Sequence, residues 1–414
     1  MIGIRHIFLS VIFSFSALGL FSQDNTESIK QIRKDVEYLA SDNLKGREAG
    51  TKEERKAAAY IAKRFEKIGL TPLGDNGDYL QEFSFPKVRD PHTGVESEER
   101  SEGVNVVGYI DNGAQYNVII GAHFDHLGMG GGPNSLHTEK AVHNGADDNA
   151  SGVAAMLYMA EVLKSSKFKR NNYIFIAFTG EEKGLYGSNY FLKHPPFYLT
   201  TMNYMINFDM VGRLDSNNKV VINAVGTSPI WKTTLQRADT SKLRFTTSES
   251  GVGPSDHTSF YLKDIPAIHF FTGAHEDYHR PSDDADKVNM EGIAIISDFA
   301  LGLVADLNAK LKLAFTRTKD EDNTSSTRPR YKVSLGVVPD YLYDGEGMRI
   351  DGIKQDRPAS NAGIRAGDVV ISIGDVKVTN MKTYMDALKS LEEGQKAVVT
   401  IKRGEKPLDF DVQF

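Results

Sequence analysis

Six short apolar runs, at residues 104–110, 117–122, 173–178, 204–208, 220–224 and 265–271, limit the folds open to this chain more than any other feature. Each is bounded by turn residues and largely apolar, so each reads as a strand buried on both faces. Between the second and third runs, Val153, Leu157, Ala160 and Leu163 fall on one side of a helix spanning 153–163. Strand, helix and strand in that order predict crossover connections and an α/β fold. The expected architecture is a three-layer sandwich with a central, mostly parallel mixed sheet flanked by helices. Reactive groups in such sheets gather beyond the carboxyl ends of the strands.

Upstream, residues 29–70 read as helical. Ile32, Val36 and Leu39 share one face, as do Ala57, Ile61, Phe65 and Ile68, with Gly69 as a stop. Leu44-Lys45-Gly46-Arg47-Glu48-Ala49-Gly50 makes a polar turn between them. Past Leu313 the apolar pattern ends, and 316–330 reads as a linker. Strands, a Pro-Ala turn and a short helix return from about 331, as a second domain. The expected division is a signal peptide at 1–22, a main domain at 23–313, a linker at 314–330 and a small domain at 331–414. A length of 414 residues suits two folded units.

Arg5 and His6 precede an apolar run at 7–20, and Gly19 and Ser22 precede the polar Gln23-Asp24. This is the pattern of a secretory signal peptide, and the run is shorter than the ~20 residues of a stable membrane span. Export to the periplasm or the medium is the expectation. The chain has no cysteine, which rules out disulfides, a lipidated N-terminal cysteine and a thiolate metal site. Its net charge of -6 lacks the basic footprint of a nucleic-acid binder.

Five polar motifs sit in or beside these apolar runs. In Gly121-Ala122-His123-Phe124-Asp125, the histidine and the aspartate share one face of an extended chain. Asn144-Gly145-Ala146-Asp147-Asp148-Asn149-Ala150-Ser151-Gly152 opens a helix with two carboxylates, more than a helix cap requires. Thr179-Gly180-Glu181-Glu182 puts paired carboxylates at a strand end, where they repel unless a cation lies between them. One glutamate can then ligate while the other serves as base. In Asn207-Phe208-Asp209-Met210-Val211-Gly212 an aspartate interrupts an apolar strand end. Tyr278-His279-Arg280-Pro281-Ser282-Asp283-Asp284 supplies a second histidine. Two histidines with at least three carboxylates suit zinc, and a carboxylate can bridge two ions.

In this order the motifs resemble the co-catalytic zinc aminopeptidases of peptidase family M28 over roughly residues 29–310, including the LASDNLKGREAG segment as lead-in. The resemblance implies two zinc ions per chain. It implies that Asp148 bridges them, that His123 and Asp209 hold one, and that Glu182 and His279 hold the other. Asp148 is preferred to Asp147 because the family's bridging residue is followed by Asn or Asp, a small residue, then Ser-Gly. Glu181 becomes the general base, Asp125 orients His123, and Tyr278 donates its phenol to the oxyanion. His126 and His143 match no ligand position and fall to surroundings or surface, while Asp256 of Ser255-Asp256-His257 shapes the substrate pocket. The substrates implied are peptides with a free N-terminus. The stretch 80–104 is too short for the protease-associated domain that often interrupts the family.

Residues 331–414 resemble a small, mainly β PDZ domain. Ser334-Leu335-Gly336-Val337 is similar to its carboxylate-binding loop, and the run from Arg357 to Val370 to its signature, in the permuted bacterial order. Such a groove takes a peptide C-terminus. Two related enzymes compete with the aminopeptidase reading: a single-zinc glutaminyl cyclase and a carboxypeptidase. A cyclase would not keep both His123 and Asp209 as ligands, and no cationic pocket for a substrate carboxylate is evident. A silent binding protein would have lost Glu181, which is present.

Overall fold

Strands that are apolar at every position need cover on both faces, and alternate residues here find it. The computed structural model describes residues 25–86, 99–132, 134–238, 240–318, 333–339, 345–353 and 357–414. The expected signal peptide and residues 319–330 of the expected linker lie outside them.

Among the described residues, nine strands form one sheet. They are β1 (Thr71–Pro72), β2 (Leu80–Pro86), β3 (Arg100–Ile110), β4 (Asn117–His123), β5 (Asn172–Phe178), β6 (Met202–Phe208), β7 (Lys219–Asn223), β8 (Arg244–Thr247) and β9 (Ala267–Phe271). Their order is β1-β3-β5-β4-β6-β9-β7-β8, with β2 also on β3. The central β5, β4, β6 and β9 are mutually parallel, whereas β3 and β7 flank them antiparallel. All four central carboxyl ends therefore open on the same edge.

Among the described residues, seven α-helices accompany the sheet: α1 (Asn25–Leu39), α2 (Lys52–Ile68), α3 (Gly152–Ser165), α4 (Tyr186–Lys193), α5 (Pro229–Arg237), α6 (His257–Tyr261) and α7 (Met290–Leu307). Val118, Ile120 and Ala122 of β4 face the core shared with α1, α3 and α7. Ile119, Ile174 and Ile176 face the opposite way, onto Phe191 and Leu192 of α4 and Phe260 of α6. The result is the expected three layers. Thr51 caps α2 by accepting from Glu54 N, and Gly69 ends it at φ 82°, a left-handed turn that glycine adopts without strain. At Gly121 a Cβ would stand 2.6 Å from the Phe178 ring, so glycine lets β4 and β5 pair closely enough to set His123 opposite Phe178. No described helix is long and apolar enough to cross a membrane.

The described residues of the C-terminal part form a separate six-stranded sheet: β10 (Val337–Pro339), β11 (Met348–Ile353), β12 (Val369–Ile373), β13 (Val376–Lys377), β14 (Lys396–Arg403) and β15 (Lys406–Gln413). Helices α8 (Pro358–Ala362) and α9 (Met381–Lys389) accompany it, over a core that includes Leu335, Ile350, Val370, Leu388 and Ile401. The Pro-Ala pair expected to form a turn instead starts α8. Proline at a first helical position fits a helix as well as a turn, and Gly363 closes the helix at φ 85°. Buried Asp368 takes a two-pronged bond from Arg403, at 2.7 Å for both contacts.

Candidate metal centre

Four chain segments leaving the parallel strands, and one turn ahead of α3, bring the motif residues together. His123 is the last residue of β4, Glu181 and Glu182 follow β5, and Asp209 follows β6. His279 comes from the loop after β9, and Asp148 from the irregular turn before α3. The Asp148 carboxylate stands between two pairs. Its Oδ1 is 3.3 Å from His123 Nε2, which is itself 3.2 Å from Asp209 Oδ1. Its Oδ2 is 3.2 Å from His279 Nε2, which is 3.3 Å from Glu182 Oε2. Asp147 points elsewhere, accepting from Gly212 N at 2.6 Å and meeting His275 Nε2 at 3.1 Å.

Backbone groups aim both histidines. His279 donates from Nδ1 to Asn134 O at 2.7 Å, which leaves Nε2 free to face the carboxylates. Its backbone is left-handed at φ 54°, and its carbonyl accepts from Leu136 N at 3.0 Å. His123 Nδ1 lies 3.2 Å from the Asp125 carbonyl and 3.7 Å from that residue's Oδ1. Asp125 Oδ1 accepts instead from Glu181 N at 3.2 Å, and its buried Oδ2 has no partner. The Tyr278 ring stacks on His279, with centroids 3.8 Å apart.

Three contributors fall outside the expected ligand set. His126 is buried, with Nδ1 2.8 Å from Glu182 Oε1 and 3.8 Å from Asp148 Oδ2. Arg47, from the turn that reads as merely polar, is fully buried, and its guanidinium donates to the carbonyls of Phe124, Leu39, Asn144, Gly145 and Asp148. Asp283 accepts from Asp147 N and Asp148 N at 2.9 and 3.0 Å and is paired with Arg213. His143 is also buried but turns to Ser135 Oγ and Ala141 O. Asp256 is buried as well, and neither of its oxygens has a hydrogen-bond partner.

The charge balance fits a cation. Burial works against Asp148, yet hydrogen bonds from His123 and His279 hold it well below the usual carboxylate range. His279 is pushed up to about 10 against its own burial by Glu182 and Asp148. Burial, with Glu182, Asp209 and Asp256, holds half-buried Glu181 well above its ordinary value, while His123 opposes the shift. Protons on the histidines thus do the work that a cation would take over on displacing them. His123, Asp148 and Asp209 offer donor atoms within 4.8 Å of one another, and so do His126, Asp148 and Glu182. No described lysine or arginine pairs with Asp148, Glu182 or Asp209. A donor set of imidazoles and carboxylates around unneutralised acids is one that zinc accepts.

Both parts of the chain resemble known proteins. Residues 105–304 match the model of Peptidase family M28, and residues 316–414 that of the PDZ domain. Aminopeptidase YwaD of Bacillus subtilis (strain 168) is 31% identical over 179 residues, covering 41% of this chain and 39% of that protein. The chain thus spans about two fifths of that relative's length. Among solved structures, the zinc aminopeptidase BSAP from Bacillus subtilis superposes with a TM-score of 0.54 at 19% identity, over 69% of this chain and 95% of that one. Porphyromonas gingivalis glutaminyl cyclase superposes at 0.51 with 17% identity, over 67% and 98%. At such identities these two likenesses speak to the fold. The stretch that matches peptidase family M28 thus contains all five expected ligands, and a stretch that matches the PDZ domain follows it.

Proposed function

We propose that this protein is an exported aminopeptidase that removes N-terminal residues from peptides, using two zinc ions and Glu181 as general base. One observation carries the reading: the two oxygens of Asp148 face two separate pairs, His123–Asp209 and His279–Glu182. A single ion would satisfy one pair and leave the other acid uncompensated. Zinc held there would supply the charge that brings the pKa of water toward ~7 and polarises the scissile carbonyl.

The chain's own side chains do the rest. Glu181 adjoins the ligand Glu182 but is kept for proton transfer, from the attacking water to the leaving amine. Asp125 braces the site by accepting from Glu181 N and lying beside His123. Tyr278, whose ring stacks on His279, would offer its phenol to the developing oxyanion. Carboxylates in excess favour a substrate that brings a free α-ammonium group. The basic-then-apolar pattern of residues 5–20 supports export, and the PDZ domain supports capture of a peptide C-terminus.

The deciding experiment is Glu181→Gln. The variant should keep its zinc and lose nearly all hydrolysis of aminoacyl p-nitroanilides; turnover at the parental rate would refute the mechanism. Zinc analysis separates the cyclase alternative, which requires one ion per chain.

A further inference from the structure

The chain stays bound to the peptidase domain for several residues after α7. Leu313 N donates to Asn203 Oδ1 at 2.8 Å, Thr316 N to Thr227 O at 2.8 Å, and Arg317 pairs with Asp264 at 2.8 Å. Thr318, expected to be linker, is buried. Its N–H donates to the Tyr261 hydroxyl at 3.0 Å, and its Oγ1 lies 2.7 Å from that same hydroxyl. Oγ1 also accepts from Gly251 N at 3.3 Å. Tyr261 is itself fully buried at the end of α6, and its ring presses on Gly251 so closely that a Cβ there would stand 2.3 Å from Cδ2. Thr318 falls within the stretch matched by the PDZ model, which starts at 316, and beyond the peptidase match, which ends at 304.

The loop held in this way, 248–256, runs to the metal centre. Its first residues are fastened to the sheet side, where Val225 N donates to Ser248 O and Gly226 N to Glu249 O, both at 3.0 Å. At its far end Ser255 Oγ accepts from Asn207 Nδ2 at 2.8 Å, two residues before Asp209. Next comes Asp256, which is buried. Thr318 secures the middle of the loop.

We propose that Thr318 and Tyr261 form a latch through which the segment joining the two domains sets loop 248–256, making both of them positioning residues for peptide binding. The proposal rests on the aminopeptidase reading of the site. The latch touches none of the five expected ligands and does not touch Glu181, so releasing it loosens one wall of the site and leaves the reacting groups in place.

The test uses the full-length protein with a panel of aminoacyl p-nitroanilides. Thr318→Val keeps the volume and removes the hydroxyl, whereas Thr318→Ser keeps the hydroxyl. The loss of a hydrogen bond of ordinary strength should raise KM about five- to tenfold in Thr318→Val. In that variant kcat should change less than about twofold, zinc per chain should be unchanged, and amide exchange over 248–256 should be faster. Thr318→Ser should match the parent in all four. Faster exchange with a parental KM, or exchange that does not change, overturns the latch. A parent protein that binds zinc and hydrolyses nothing overturns the activity instead, and the exchange comparison still decides whether Thr318 holds the loop.

Discussion

Arg47 Nη2 donates to the main-chain carbonyl of Gly145 at 2.6 Å, three residues before the carboxylate that stands between the two histidines. The same guanidinium reaches Leu39 O at 2.9 Å, Phe124 O at 2.5 Å and Asn144 O, tying helix α1, the end of β4 and the Asp148 turn to one group. Burial lowers its pKa to about 10, and Asp148, Asp125 and Asp283 oppose the drop, so it stays charged at neutral pH. Arg47→Met strands these carbonyls in a dry interior. The expected cost is about 3 kcal/mol or more, read as a lower urea midpoint. Arg47→Lys should recover only part of it, because an ammonium cannot span the same fork of acceptors. An unchanged midpoint in Arg47→Met would show that the clamp contributes nothing.

A second prediction concerns acid. His257 and His269 stack with centroids 4.6 Å apart, and burial depresses both pKa values to about 3. Their unfolded value is near 6.5, so the unfolded chain binds their protons first. Stability from this pair is whole above about pH 6.5 and is lost as pH falls toward 3. Glu54, buried and bonded to Thr179 Oγ1 at 2.6 Å, is raised by burial to about 7, and Asp256 is raised to about 7 as well. Those acids tilt stability the other way, since their proton is held in the fold and released by the unfolded chain between about pH 4 and 7. The informative quantity is therefore a difference. His257→Phe keeps a flat ring and removes one titration, so its melting temperature relative to the parent should rise as pH drops from about 7 to 4. A pH-independent difference would mean that His257 does not titrate as its burial implies.

How far the sequence reaches depends on what each residue packs against. The strand runs are legible because both faces are covered, and the rule of carboxyl ends then puts His123, Glu181, Glu182 and Asp209 on one edge. Helix α7, 18 residues with most of them buried, escapes because apolar residues surround it and leave no single stripe. The buried Arg47 bonds carbonyls, which any sequence supplies, so nothing in its neighbours marks it out. His126 is three residues from His123, yet its meeting with Glu182 arises only when the ends of β4 and β5 are laid together. Thr318 sits in a polar stretch whose composition matches a free linker, and its partners Tyr261 and Gly251 are far away in sequence.

The last prediction concerns how many ions the site holds. Asp148→Asn and Asp209→Asn remove the same charge but should differ in consequence. The Asp148 carboxylate faces both pairs, so an amide offers an oxygen to one side and an NH2 donor to the other, where it repels a cation. Asp209 meets His123 alone among the histidines, leaving Asp148, Glu182 and His279 undisturbed. After dialysis against a weak chelator, Asp209→Asn should keep about one zinc per chain, and Asp148→Asn should fall well below one, by the loss of a shared donor. Both should remain folded by circular dichroism, because neither carboxylate carries a main-chain bond that holds the sheet. If Asp148→Asn retained two ions, or both variants lost one each, the bridging role would fail even though the histidines stood where they do.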